Sequence, residues 1–194
     1  MTFREELEAI REHYVRFYLH TLREFQIEGK EVGSELQIRI DSRATHDFYM
    51  NCARIDLVEV DSLQSGEVHC KSVKPSQRMF TPVSGLGIEL LDCAWYSVDF
   101  RCGDFRQDDD AFHDWFCKWY DSSDEGNAVE DGLSGLIHCA TTIKELDTLR
   151  VFSVDFGSAP VEALLELLTV FQAQGIDKIS MGTFLHQDRW WWVG

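Results

Sequence analysis

No stretch of this sequence approaches the roughly 18 apolar residues that a membrane-spanning helix needs. The opening residues, MTFREELEAIREHYVRFYLH, carry charge every few positions where a signal peptide would have an apolar core. Neither membrane insertion nor export is therefore expected. The six cysteines, at 52, 70, 93, 102, 117 and 139, are expected to be reduced thiols of a cytoplasmic protein rather than three disulfides. Basic residues are scarce too, with 18 Lys plus Arg against 34 Asp plus Glu, a net charge of -16. A surface of that sign repels phosphate backbones and anionic lipid. Nucleic acid and membrane are thus excluded as expected partners, and a basic protein is the partner that the charge favours.

The common motifs of metal and nucleotide chemistry are also missing. There is no C-x-x-C and no H-E-x-x-H. His69–Cys70 and His138–Cys139 are adjacent pairs on expected strands, where neighbouring side chains point to opposite faces and cannot chelate one ion. Asp110, His113, Asp114 and Cys117 share one stripe of an expected helix without a recognised ligand spacing. A calcium loop read from Asp121 places Gly126 correctly at its sixth position but has Gly132 at the twelfth, where a bidentate Glu is required. The G-x-G at Gly85 and Gly87 lacks a third glycine and a following helix, so it reads as a turn. No metal and no cofactor are expected. With no internal repeat or low-complexity linker, residues 1–194 are read as a single domain, and 44% hydrophobic content suffices for a core.

What is present centres on Leu149 to Thr183, which reads as strand, turn, helix, turn, strand. Val151, Phe152, Val154 and Phe156 form a β-branched and aromatic run that stops at Gly157 and Ser158. A helix is expected from near Ala159, with Pro160 in its first turn, where a missing N–H costs nothing. Val161, Leu164, Leu165, Leu168 and Phe171 form its apolar face; Ala163, Leu167 and Val170 widen that face beyond the usual stripe and leave room for a homodimer contact. Gly175 suits a left-handed cap, and Ile176, Ile179 and Met181 open the next strand. Such a unit implies two parallel strands joined by a crossover.

Upstream, Thr2 and Glu5 make a capping box for a long helix, with Phe3, Leu7, Ile10, Tyr14 and Phe17 at helical spacing to about Gln26. Leu36, Ile38 and Ile40, then 55–60, then 68–73, alternate as half-buried strands, with a hairpin loop at DSLQSGE between the last two. Residues 94–101 and 136–143 read as further strands. Between these two, residues 104–131 concentrate ten acids against two bases, half the net charge of the chain. Asp108, Asp109 and Asp110 suit a helix N-terminus. Phe112, Trp115, Phe116 and Trp119 then make an aromatic stripe. In the tail, Trp190, Trp191 and Trp192 cannot all share one strand face.

The order of elements predicts an α+β domain with one mixed, mainly antiparallel sheet, a long N-terminal helix and a C-terminal strand–helix–strand crossover. The leading functional expectation is capture of a basic protein by an acidic, aromatic-bearing face built from Asp108, Asp109, Asp110, Trp115, Trp119, Asp121, Asp124 and Glu125. In size and charge, though in no quoted motif, the chain resembles the small acidic immunity proteins that neutralise basic toxins in bacteria. Two alternatives stand beside it. One is a self-associating structural protein. The other is a small hydrolase-like enzyme at the strand-to-helix turn, with Asp155 and Ser158 joined by a histidine that the fold supplies. The plainer role for that turn is structural, with Ser158 capping the helix and Asp155 bonding turn amides.

Overall fold

The computed structural model describes residues 1–40, 47–83, 85–121 and 133–184. Helix α1, Phe3–Ile27, begins at the expected capping box: the Thr2 hydroxyl accepts from the Glu5 amide, and the Glu5 carboxylate accepts from the Thr2 amide. Phe3, Leu7, Ile10, Tyr14, Val15 and Tyr18 are buried along it, while Leu19, Leu22 and Phe25 pack only partly against the core. Phe17, at an apolar position of the pattern, lies exposed. No described helix is long and apolar enough to cross a membrane. All six cysteines are free thiols.

The fold is α+β and its strands are mostly antiparallel, but the expected single sheet is two. Strands β1, Val32–Arg39, β2, Cys52–Glu59, and β3, Ser65–Gly66, form an antiparallel three-stranded sheet. The second sheet contains β4, Met79–Val83, β5, Leu86–Leu90, β6, Val98–Cys102, β7, Cys139–Ala140, β8, Lys144–Leu146, β9, Leu149–Asp155, and β10, Lys178–Gly182. Its order is β4-β5-β10-β6-β9-β7, with β8 also on β9. Strand β10 is parallel to β5 and antiparallel to β6, and β6 is antiparallel to β9. Strands β9 and β10 are therefore parallel, as the crossover implies, with β6 inserted between them.

Several element boundaries move. Residues 94–97 turn before β6 begins. Of 68–73, only Val73 pairs, through a single bridge to Cys93, while β3 forms inside the expected hairpin loop. The strand expected over 136–143 shrinks to β7, and the link after it contains β8. Apolar alternation identifies a buried face but not how far a partner strand runs alongside, and these segments pair only over one or two residues or through isolated bridges.

Helix α2, Asp110–Tyr120, starts at Asp109, whose side chain accepts from the Ala111 amide. Phe112, Trp115 and Phe116 face inward; Phe112 meets Phe105 at 5.4 Å and Phe152 at 5.9 Å. Helix α3, Val161–Ala173, is capped by Pro160 rather than starting at Ala159, and Gly175 follows it with a left-handed φ of 78°.

The widened apolar face of α3 is closed within the chain. Leu167 and Ala163 are fully buried, the Trp115 indole donates to the Ala163 carbonyl at 2.8 Å, and Trp119 donates to Glu166 at 2.9 Å. Helix α2 thus occupies the surface that the homodimer expectation left for a second copy. Leu167→Ala is expected to cost about 3 kcal/mol of stability through the cavity it leaves, with oligomeric mass by light scattering unchanged. A change in mass without loss of stability would restore the interface reading.

Candidate functional site

The seam between the two sheets gathers polar side chains that the sequence scatters over more than a hundred residues. The Arg54 amide on β2 donates to the His138 carbonyl, and the His138 amide donates to the Asp155 carbonyl, each at 2.8 Å. These bonds bring β2, the segment before β7 and the end of β9 side by side. Strand β1 adds Glu35 in an unusual way. Ser34 pairs with Leu57 and Leu36 with Ile55, while Glu35, at φ 54°, drops out of the ladder opposite Asp56. Consequently Glu35 is the buried residue of β1, and Leu36, expected inside, is 42% exposed.

His138 is the centre of the cluster. Its ring is 1% exposed, with Nε2 3.0 Å from Glu35 Oε1 and Nδ1 2.7 Å from Asp56 Oδ1 and 3.8 Å from Asp155 Oδ2. The two ring nitrogens differ in kind. Nε2 is hydrogen-bonded to Glu35. Nδ1 is close to Asp56 but badly directed towards it, and it has no hydrogen-bond partner.

The surrounding groups fix these carboxylates. Glu35 also accepts from the Ser158 hydroxyl and the Ser134 amide. Asp56 Oδ2 accepts from the Val68 amide. Tyr14 reaches Asp56 Oδ1 at 3.4 Å, and Tyr18 donates to the Asp56 carbonyl, so α1 roofs the cluster. Asp155 Oδ1 accepts from the Gly157 amide at 2.8 Å. The expected turn-amide role of Asp155 therefore holds. Ser158 does not cap α3: its hydroxyl accepts from the Gly135 amide at 2.8 Å and donates to Glu35.

Burial and charge pull the titrating groups apart. Burial works to raise the Glu35 carboxyl, but the hydrogen bond and charge of His138, with the hydrogen bonds from the Ser158 hydroxyl and the Ser134 amide, hold it down at about 2. Burial disfavours the charged imidazole of His138, yet Asp155, Asp56 and Glu35 overcome this and keep it well above its ordinary value. Asp155 is pushed up to about 7, first by burial and then by the neighbouring charge of Asp56, against the opposing pull of His138. One imidazolium does not neutralise three carboxylates, and Asp155, with 23% of its side chain exposed, takes the strain.

Arg54 supports the seam from below. Its guanidinium donates to the carbonyls of Glu35, Tyr120 and Asp121 at 2.9 to 3.1 Å and lies 5.1 Å from the Tyr120 ring centre. It thereby ties β1 and β2 to the C-terminus of α2, where a cation is favoured.

The residues expected to face a partner fall into three groups. Asp108 and Asp110 are exposed, and Asp109 is the half-buried cap of α2. Trp115 is 4% exposed and belongs to the core, a correction to its expected contact role; Trp119 is part-buried on Glu166. Asp121 ends α2 in a left-handed conformation with φ 47°, half-buried. Asp124 and Glu125 lie outside the described residues, as do Trp190, Trp191 and Trp192. Of the helical stripe weighed for metal, His113 and Cys117 do approach, Nε2 to Sγ at 3.5 Å, on the protein surface. Sequence reasoning missed Glu35 and Asp56, and it weighed His138 only as a pair with Cys139, which strand geometry dismissed. Their only signal was an acid or histidine at strand positions, indistinguishable there from a solvent-facing residue.

Comparison with known proteins finds no matching family model, no matching curated protein and no matching solved structure.

Proposed function

We propose that the protein is an acidic binding module of the cytoplasm that captures a basic protein, immunity-protein-like in general character. The observation that supports this reading is the orientation of α2. Its aromatic stripe turns inward, and Asp108, Asp110 and Asp114 are left on the outside. Nearby cations are engaged elsewhere: Lys118 with Glu166 at 2.7 Å, Arg106 with Asp109 at 3.7 Å, and Arg150 with Asp104 at 3.4 Å. Asp108, Asp110 and Asp114 have no ion pair among the described residues, so their field is directed to solvent and to whatever cationic surface approaches.

The test is kinetic. A partner captured from host extract at low salt and released at high salt is purified, and its association is followed by stopped flow. Replacing Asp108, Asp110 and Asp114 by Asn is expected to slow association by about tenfold or more and to flatten its salt dependence, with a smaller change in dissociation rate. Association as fast as wild type at low salt would leave this face an ordinary solvated surface.

A second reading, a small hydrolase-like enzyme, is favoured by one observation: the fold supplies a histidine beside Asp155 and Ser158. The Ser158 hydroxyl, however, is fully buried and committed to Glu35. Chemistry at this turn would therefore run through Asp155 and His138 and not through a serine nucleophile.

A further inference from the structure

We propose that Asp56, His138 and Asp155 form a binding site for one divalent first-row transition-metal ion of the zinc or manganese class. One donor atom from each of the three lies within 4.8 Å of the others. Ligands at about 2.0 to 2.2 Å from a shared ion stand roughly 3 to 4 Å apart, and the separations of 2.7 and 3.8 Å from His138 Nδ1 need only small adjustment to reach that range.

Proximity of acids alone would carry little, because acidic clusters are common. The imidazole carries the argument. Nδ1 is fully buried, faces Asp56 Oδ1 and Asp155 Oδ2, and has no hydrogen-bond partner of its own. With the imidazole neutral and its proton on Nε2 towards Glu35, Nδ1 turns a lone pair to these two carboxylates, and a metal ion there supplies the partner it lacks. The opposite nitrogen, Nε2, is held by Glu35. A carboxylate on the far nitrogen is the arrangement that fixes the tautomer of metal-ligating histidines and raises their basicity. Glu35 is itself fixed by Ser158 and Ser134.

The two aspartates repeat the pattern. Each has one oxygen held by a backbone amide, Asp56 Oδ2 by Val68 and Asp155 Oδ1 by Gly157, and turns the other towards His138 Nδ1. Charge points the same way. Glu35, Asp56 and Asp155 outnumber the single imidazole, and a divalent ion with a neutral histidine brings the cluster close to neutrality. Nitrogen with two carboxylate oxygens suits zinc or manganese better than the all-oxygen preference of calcium or magnesium. Three protein donors leave a coordination position for water on the side where Asp155 is part-exposed. This inference is independent of the capture of a basic protein by the α2 face.

The test uses the full chain, stripped with chelator and titrated with zinc, manganese and cobalt by calorimetry and absorption. His113 and Cys117 are a competing surface pair, so the titration is made in a Cys117→Ser background. One equivalent per chain is expected, with a rise in melting temperature and a cobalt spectrum free of sulfur charge transfer. Asp155→Asn should abolish binding and remain folded, since the residue is part-exposed. Glu35→Gln, which touches no metal, should weaken affinity about 10- to 100-fold. Failure of the stripped protein to bind any of the three ions stoichiometrically would overturn the proposal. So would binding that survives Asp155→Asn, or a cobalt spectrum showing thiolate ligation.

Discussion

His138→Leu is expected to destabilise the metal-stripped protein by about 3 to 5 kcal/mol, a large part of the 5 to 15 kcal/mol that holds a typical domain folded. Leucine fills much of the imidazole volume, so the cost does not come chiefly from a cavity. It comes from the carboxylates of Glu35 and Asp56, 2% and 4% exposed, which lose the imidazole that contacts both. Glu35→Gln should cost less, because it removes a buried negative charge and keeps one carbonyl oxygen for either the Ser134 amide or the Ser158 hydroxyl, which bond different oxygens of the carboxylate. The double mutant decides between an interacting cluster and separate local effects. If the ion pair is the source of the loss, the pair of substitutions should cost less than their sum by about 0.5 to 3 kcal/mol. Urea unfolding of the four proteins measures this. Strict additivity, or a His138→Leu loss below about 1 kcal/mol, would mean that the imidazole does not bear the charge of the seam.

Much of the frame was legible from local patterns, and the site was not. The capping box at Thr2 and Glu5 and the acidic start of α2 at Asp109 depend on contacts within one helical turn, so spacing reveals them; spacing also showed the stripe of Phe112, Trp115 and Phe116, but not that Trp115 belongs to the core and not to a partner face. The crossover from β9 to β10 was legible for the same reason, although β6 between them was not. Glu35 shows where such reading stops. Period-two alternation assigned Leu36, Ile38 and Ile40 to the inner face, but a left-handed φ of 54° at Glu35 turns that residue inward. A glutamate is tolerated there because His138, a hundred residues later, and the Ser134 amide and Ser158 hydroxyl bond its carboxylate. Ligand spacing gave no help either: the stripe of Asp110, His113, Asp114 and Cys117 had none that is recognised, and Asp56, His138 and Asp155, which the fold brings within 4.8 Å, come from three segments that have no fixed separation in sequence.

Gly157→Ala is expected to be the most damaging small substitution in the turn before α3, at about 2 to 5 kcal/mol. Gly157 has φ 47°, and a β-carbon there would lie 2.3 Å from His138 Cδ2 and Nε2 and 2.7 Å from the Leu136 carbonyl oxygen. Two costs combine. The left-handed conformation alone charges an L-residue about 1 to 2 kcal/mol, and overpacking against a fixed backbone adds about 1 to 3 kcal/mol. The second cost carries a further consequence, because the displaced atom is the same Nε2 that holds Glu35. A ring pushed away from the turn gives up part of that bond. Gly175→Ala is the matched control: its φ is 78°, also left-handed, but a β-carbon there meets nothing within 4 Å. Gly175→Ala should therefore cost only the conformational part, and the difference between the two variants isolates the contact with His138. Urea midpoints measured side by side supply that difference. If Gly157→Ala is no worse than Gly175→Ala, the imidazole is not seated against this turn, and the arrangement of Glu35, Asp56 and Asp155 around it fails with it.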